Sequence, residues 1–345
     1  MLIPIAIDLS LTETNAPSKH DFGDATALAN YIISTPCILL HNGQSFGESL
    51  LYSLLNTLPP SVRANLVQCL VKMPTYRVAD WDGTCGQALP PYSYLRGSIF
   101  AVPRNVFESL NANGAKQETV TIQAGTIDIT MWHTIQVSQV HQRISESHSQ
   151  NINIGTNRDV LWGSSFESIV KHAKIRTITI VDRYAFKRGN ETDTRAIAVS
   201  YFLKKIQEQS KSRDETISVT ILVEAHKYTE DELATITETL AAELSDRQKI
   251  LKVHICAMLT DTMVRFFHER YVFIETSEGI LYETMIGRGM SVFSNITVEL
   301  ASILILRFHW LAGDSTLYSD AKKRTSVFRH KEWYRVGKVF VNIEG

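Results

Sequence analysis

The sequence holds 345 residues, more than one typical domain and too few for three, and its 44% hydrophobic and 21% charged residues are ordinary for a soluble globular protein. Its 35 basic and 36 acidic residues give a formal net charge of -1 and a pI near 6.8. That balance excludes long-range attraction to nucleic acid or an acidic membrane, so either would have to be met by a local basic patch.

The first 13 residues carry no basic stretch and reach Asp8 after a short apolar run, which does not read as a secretory signal. The most apolar later stretch, residues 298–306, is interrupted by Glu299 and followed by Arg307. It falls far short of the ~20 apolar residues that a membrane span requires. Cys37, Cys69, Cys85 and Cys256 form no CxxC pair and no metal-ligand rhythm, as expected for reduced thiols of a cytoplasmic protein.

In chain order, residues 2–7 predict a short strand, residues 24–33 and 46–55 have helical spacing, and residues 37–40 form a buried strand between them. Ser61, after Pro59 and Pro60, is placed to cap a helix running to Val71. Residues 119–122 and 126–140, rich in β-branched side chains around Gly125, predict a hairpin. This first half is α/β or α+β. Residues 145–157 (SESHSQNINIGTN) are polar and read as a linker, which divides the chain into residues 1–145, a linker at 146–158, and residues 159–345.

The second half is more regular. Residues 166–174 predict a helix, and residues 177–181 a buried strand that ends at Asp182. A helix follows over 194–207, then a polar loop over 207–215 and a strand over 217–223. Thr229 with Glu232 makes a capping box for a helix to Leu244, and residues 251–257 give a third strand. Strand and helix alternating in this way indicate an α/β layered sheet with helices on both faces. Such sheets place their ligand crevice at the C-terminal ends of strands, where Asp182 and His226 fall.

The segment Phe267-His268-Glu269-Arg270-Tyr271-Val272-Phe273-Ile274-Glu275 carries the most informative pattern. It keeps the spacing of H-x-K-x-x-x-x-D, with arginine for lysine and glutamate for aspartate. On a strand, alternation would set His268, Arg270, Val272 and Ile274 on one face. Then come Ile286-Gly287-Arg288-Gly289-Met290-Ser291-Val292-Phe293. The two segments together resemble the phospholipase D-like domain found at the C-terminus of MIT-domain-containing proteins, and Asp182-Arg183-Tyr184 resembles the start of such domains. The resemblance covers about residues 162–295.

It implies a retained fold, lost catalysis, dimerisation and binding to acidic phospholipid. His268, Glu269, Arg270, Gly287, Arg288 and Gly289 are the positions matching the pattern. In the active enzymes a histidine takes the phosphoryl group, a lysine holds its oxygens and a second histidine protonates the leaving group. This chain has no second H-x-K-x-x-x-x-D, since His172 and Lys174 lack the following acid, so a complete site would need two chains, and it has no MIT-type three-helix module.

Three readings of the motif stay open. His268 and Arg270 can pair structurally with Glu269 or Glu275. Arg270 and Arg288, with Gly287 and Gly289 shaping a turn, can hold phosphate, because arginine stays charged and grips it bidentately. His268 and Glu275 can be catalytic. The basic C-terminus (Lys322, Lys323, Arg324, Arg329, His330, Lys331, Arg335 and Lys338, with Phe328, Trp333 and Tyr334 interleaved) suits nucleic acid or lipid headgroups, and reads equally as a solvated edge.

In the first half, Asp8, Glu48, Asp80 and Asp82 are candidates for a two-metal Mg²⁺ or Mn²⁺ site, or plain turn and cap carboxylates. The expectation is a cytoplasmic binding protein without cofactor. It would self-associate and hold nucleic acid in preference to acidic lipid, and analogy places it in a multi-component antiviral defence system. The alternatives are a nuclease or phosphodiesterase, through His268 across a dimer or through the acidic set, and a purely structural subunit.

Overall fold

The computed structural model describes residues 2–7, 19–58, 60–78, 81, 98–103, 106–107, 120–122, 125–188, 190–210, 215–244, 251–258, 267–309 and 315–328. The chain separates into two compact units, Met1–Ser147 and His148–Gly345. Each is mixed α/β.

The first unit is built on a six-stranded sheet of β1 (Ile3–Ile7), β2 (Cys37–His41), β3 (Thr75–Arg77), β4 (Ile99–Val102), β5 (Val120–Ile122) and β6 (Gly125–Met131), in the order β3-β2-β1-β4-β6-β5. All neighbours are parallel except β5 and β6. Parallel strands are covered on both faces, which explains the unbroken apolar runs IPIAI, CILLH and IFAV. Ala6, Leu40, Trp81, Phe100 and Ile129 share one core cluster.

Three local expectations change. The apolar run at 46–55 splits into a short turn, Phe46–Glu48, and the helix Leu50–Thr57, because the Ser49 hydroxyl accepts the Tyr52 N–H at 3.1 Å and starts the helix there. The next helix, Pro60–Leu70, begins at the proline itself, whose fixed φ suits a first helical position, so Ser61 lies inside it. The hairpin forms between β5 and β6 but ends at Met131. Beyond it the Ser138 hydroxyl accepts the His141 N–H at 2.9 Å, and the chain enters the helix Gln139–Ser147. Cys37, Cys69 and Cys256 are buried free thiols, and burial pushes the Cys37 thiol up from its ordinary value.

The second unit holds a seven-stranded sheet of β7 (Ser149–Ile152), β8 (Ile175–Val181), β11 (Ile217–Glu224), β12 (Leu251–Met258), β13 (Tyr271–Thr276), β14 (Leu281–Ile286) and β15 (Ser302–His309). A separate small ribbon pairs β9 (Lys187–Arg188) with β10 (Glu191–Thr192). The sheet order is β12-β11-β8-β13-β14-β15-β7, with the first three strands parallel and the rest antiparallel. On one face Val181, Tyr271 and Phe273 pack with Tyr318 and Ala321 of the helix Thr316–Phe328. The alternating positions Ile178, Ile180, Val272 and Ile274 are no more than 1% exposed, so the opposite face is covered as well.

The capping box forms as read. Glu232 accepts the Thr229 N–H at 2.7 Å while the Thr229 hydroxyl accepts the Glu232 N–H at 3.2 Å, opening the helix Glu230–Leu244. The stretch expected to be a linker is instead partly sheet: Ser149–Ile152 pairs with β15. β7 is an edge strand, and polar edge strands are a common guard against unwanted pairing, so its composition imitates a loop.

Trp162, Phe166, Phe202 and Phe293 form an aromatic cluster, with ring centres 5.7 Å (Trp162–Phe166), 5.1 Å (Phe166–Phe202) and 5.8 Å (Phe202–Phe293) apart. It ties the helices Arg158–Trp162 and Ile197–Gln209 to the Gly289–Phe293 turn. Phe202→Ala is expected to cost about 3–5 kcal/mol in urea denaturation. A cost below about 1 kcal/mol would mean that this cluster does not carry the packing.

Candidate functional site

Strand direction assembles the site. β8 and β11 are parallel and β13 runs against β8, with Tyr271 opposite Val181. The C-terminal ends of β8 and β11 therefore meet the entry to β13 and the exit of β14 at one edge of the sheet. Asp182-Arg183-Tyr184, Glu224 to Lys227, His268 to Arg270, and the Gly287–Gly289 turn all arrive there from distant parts of the chain.

Asp182 is the anchor. It is 2% exposed, and its carboxylate accepts the Met290 N–H at 2.7 Å and the Tyr184 N–H at 2.9 Å. Burial pushes its pKa up; the two N–H groups and the Arg270 and Arg183 charges oppose that rise without cancelling it. Gly289 has φ +64°, and a Cβ there would fall inside the Asp182 carboxylate and 2.9 Å from the Arg270 side chain. Glycine alone lets the turn approach this closely.

Arg270 is 25% exposed and donates from Nη1 to the Gly287 carbonyl at 3.1 Å, with the Glu269 carboxylate 3.9 Å away. Its guanidinium lies 5.8 Å from the centre of the Tyr184 ring. Arg183 and the Lys227 ammonium each lie 5.6 Å from the same centre. Three cations thus gather on one aromatic side chain. The negative face of the ring offsets part of their mutual repulsion.

Beside them, Glu224 is buried, with one oxygen 3.1 Å from His226 Nδ1 and the other without a hydrogen-bond partner among the described residues, while the His226 ring is half exposed. A carboxylate on Nδ1 fixes the orientation of an imidazole.

The motif residues distribute unevenly over this edge. His268 is exposed in the bend before β13, and Arg270 also precedes the strand, so only Val272 and Ile274 share the strand face expected of all four. Glu275 sits four residues beyond Tyr271, the first residue of β13, and so roughly 13 Å farther along at ~3.3 Å per residue. There it accepts from the Thr177 hydroxyl at 2.9 Å, the Lys322 ammonium at 3.0 Å and the Tyr318 hydroxyl. It holds the C-terminal helix and does not stand with His268.

Three N–H groups of the glycine turn are already committed within the protein. Gly287 donates to the Ile303 carbonyl at 2.8 Å, Arg288 to the Ser302 hydroxyl at 2.9 Å and Met290 to Asp182. The Arg288 side chain leaves Arg270 behind. Its Nε lies 3.4 Å from the Ala301 carbonyl, and it lines a cleft with Arg188, Ser291, Asn295 and Glu299. The two motif arginines therefore serve different places.

Arg183 and Lys227 were missed as site residues. The available signal was position, since each follows the C-terminal end of a parallel strand by two or three residues.

Of the acidic set, Glu48 is exposed in the Phe46–Glu48 turn, and Asp8, Asp80 and Asp82 lie outside the described residues. Among the described residues no group of three or more His, Cys, Asp and Glu is placed to hold a metal ion. Lys322 is engaged by Glu275, and residues 329–345 of the basic C-terminus lie outside the described residues. No described helix is long and apolar enough to cross a membrane.

Burial by itself would raise the Glu275 pKa, but the bonds from Tyr318, Lys322 and Thr177 outweigh it and hold the carboxyl below its ordinary 4.5. A folded pKa below the unfolded one stabilises the fold above about pH 4.5, and that stability is lost as pH falls through the folded value. Glu275→Gln should accordingly be less stable than the parent at pH 7 and lose less stability on going to about pH 3. Urea midpoints at both pH values test this. Equal losses in the two proteins would show that the carboxylate is not held this way.

No protein-family model matches the chain, and neither does any curated protein. Among solved structures, the chain is similar to yeast tyrosyl-DNA phosphodiesterase 1. A mutant form of that enzyme matches with 11% identity and a TM-score of 0.27, over 55% of this chain and 39% of that one. A second yeast tyrosyl-DNA phosphodiesterase structure matches with 11% identity and a TM-score of 0.22, over 46% and 31%. The chain thus spans well under half the length of the structures it matches.

Proposed function

We propose that the second unit is a phospholipase D-like sheet that binds a phosphate-rich partner at the Tyr184 edge, with nucleic acid preferred over acidic lipid and with little or no turnover. The observation that supports this most is the gathering of Arg183, Lys227 and Arg270 within 5.8 Å of one ring centre. Three like charges brought together outnumber the Asp182 and Glu269 carboxylates beside them, and an anion bound among them relieves the remaining repulsion. The Gly287 carbonyl orients Arg270, and an oriented guanidinium loses less entropy on gripping phosphate. Interleaved cations and an aromatic ring suit a nucleic-acid strand. Self-association, other subunits and a role in antiviral defence belong to the proposal by analogy.

A second reading, a phosphodiesterase or nuclease, is favoured by the Glu224–His226 pair standing at the same sheet edge as the exposed His268. A metal-dependent route would instead use Asp8, Glu48, Asp80 and Asp82 with Mg²⁺ or Mn²⁺.

Titration of labelled single-stranded DNA and of acidic liposomes at two salt concentrations tests the binding reading. Affinity for DNA should fall steeply with salt. Arg270→Ala should weaken it about tenfold, the order of one charge-assisted contact. Binding that is indifferent to both salt and Arg270 would end the proposal. Cleavage that survives EDTA and disappears in His268→Ala would establish the second reading. Cleavage abolished by EDTA would point to the acidic set.

A further inference from the structure

Two separate groups of cations flank the Gly287–Gly289 turn. The first is the Arg183, Lys227 and Arg270 group around Tyr184. The second is the cleft lined by Arg188 and Arg288, with the hydroxyls of Ser291 and Ser294 and the amide of Asn295.

Two short stretches of chain connect them. Residues 184–188 run from the ring into the cleft through a tight turn, in which the Lys187 N–H donates to the Tyr184 carbonyl at 2.9 Å. Gly287 accepts from Arg270 on one side, and its neighbour Arg288 enters the cleft on the other. Asp182 and Gly289 lock the turn between them, so the spacing of the two groups is built into the fold.

We infer that the two groups are consecutive subsites of one track, which holds successive phosphates of a single nucleic-acid strand lying across the turn. This rests on the phosphate-binding function proposed above and specifies its ligand. A single phosphate fills one group and leaves the other empty; a strand satisfies both, and linking the two contacts raises affinity without a new interaction. The exposed Leu300 on the cleft lining gives a base an apolar surface to lie against.

In the free protein the cleft is guarded by Glu299, which lies 3.5 Å from Arg188 and also accepts from the Asn295 amide. Both charged side chains of that pair are more than half exposed. Such surface pairs contribute little and exchange readily for a phosphate.

The test measures binding of a fluorescent single-stranded deoxythymidine 12-mer, of thymidine monophosphate by competition, and of phosphatidylserine vesicles. Lys227→Ala, Arg288→Ala and Glu299→Gln are compared with the parent. The 12-mer should bind at least a hundredfold more tightly than the monophosphate. Lys227→Ala and Arg288→Ala should each weaken the 12-mer about tenfold and each lower the slope of log affinity against log salt by about 0.7, the value for one phosphate contact on a single strand. Glu299→Gln should tighten the 12-mer and steepen that slope.

If Lys227→Ala weakens the 12-mer but Arg288→Ala changes neither affinity nor slope, the track is overturned while the anion site stands. If neither variant matters, both readings fall. Binding to vesicles without binding to the 12-mer also overturns the track. Arg288→Lys, which keeps the charge and should recover most of the affinity, separates a lost contact from a damaged fold.

Discussion

The candidate site depends on one buried carboxylate. Asp182 takes N–H groups from Tyr184, two residues away, and from Met290, more than a hundred residues away. It thereby fixes the segment leaving β8 against the turn leaving β14. Removing a charged acceptor of this kind leaves two N–H groups unsatisfied in the interior, and each costs roughly 1–3 kcal/mol. The close approach is possible because Gly289 has no Cβ and sits at positive φ. Tyr184, Arg270 and Arg288 all take their positions from that junction.

What could be seen in the sequence was the part governed by local rules. The strands at 177–181, 217–223 and 251–257 appear within one or two residues of their observed ends, and Thr229 with Glu232 caps its helix as their spacing implies. What could not be seen was set by strand order. Arg183, Lys227 and Arg270 are scattered along the chain and meet only because β8 lies between β11 and β13. The polar strand Ser149–Ile152 passed for a linker because an edge needs no apolar signal.

The motif was half informative for a similar reason. Spacing suggested that His268, Arg270 and Glu275 act together, yet a strand carries its residues away from one another at ~3.3 Å per step. Glu275 is drawn instead to Tyr318 and Lys322. Arg288 is drawn instead toward the Ala301 carbonyl and the cleft that it shares with Arg188. The pattern I-G-R-G therefore records a packing requirement at Gly289 as much as a ligand contact.

The antiparallel strands of the second sheet also keep carboxylates inside, Glu275 on β13 and Glu283 on the neighbouring β14. Their compensation comes partly from the chain's last described helix and the residue before it: Tyr318 and Lys322 for Glu275, and Ser315 for Glu283 at 2.7 Å. That helix is therefore more than a cover for apolar surface. A protein shortened before Ser315 would strand negative charge in its own interior, so this terminus is one that engineering should leave intact.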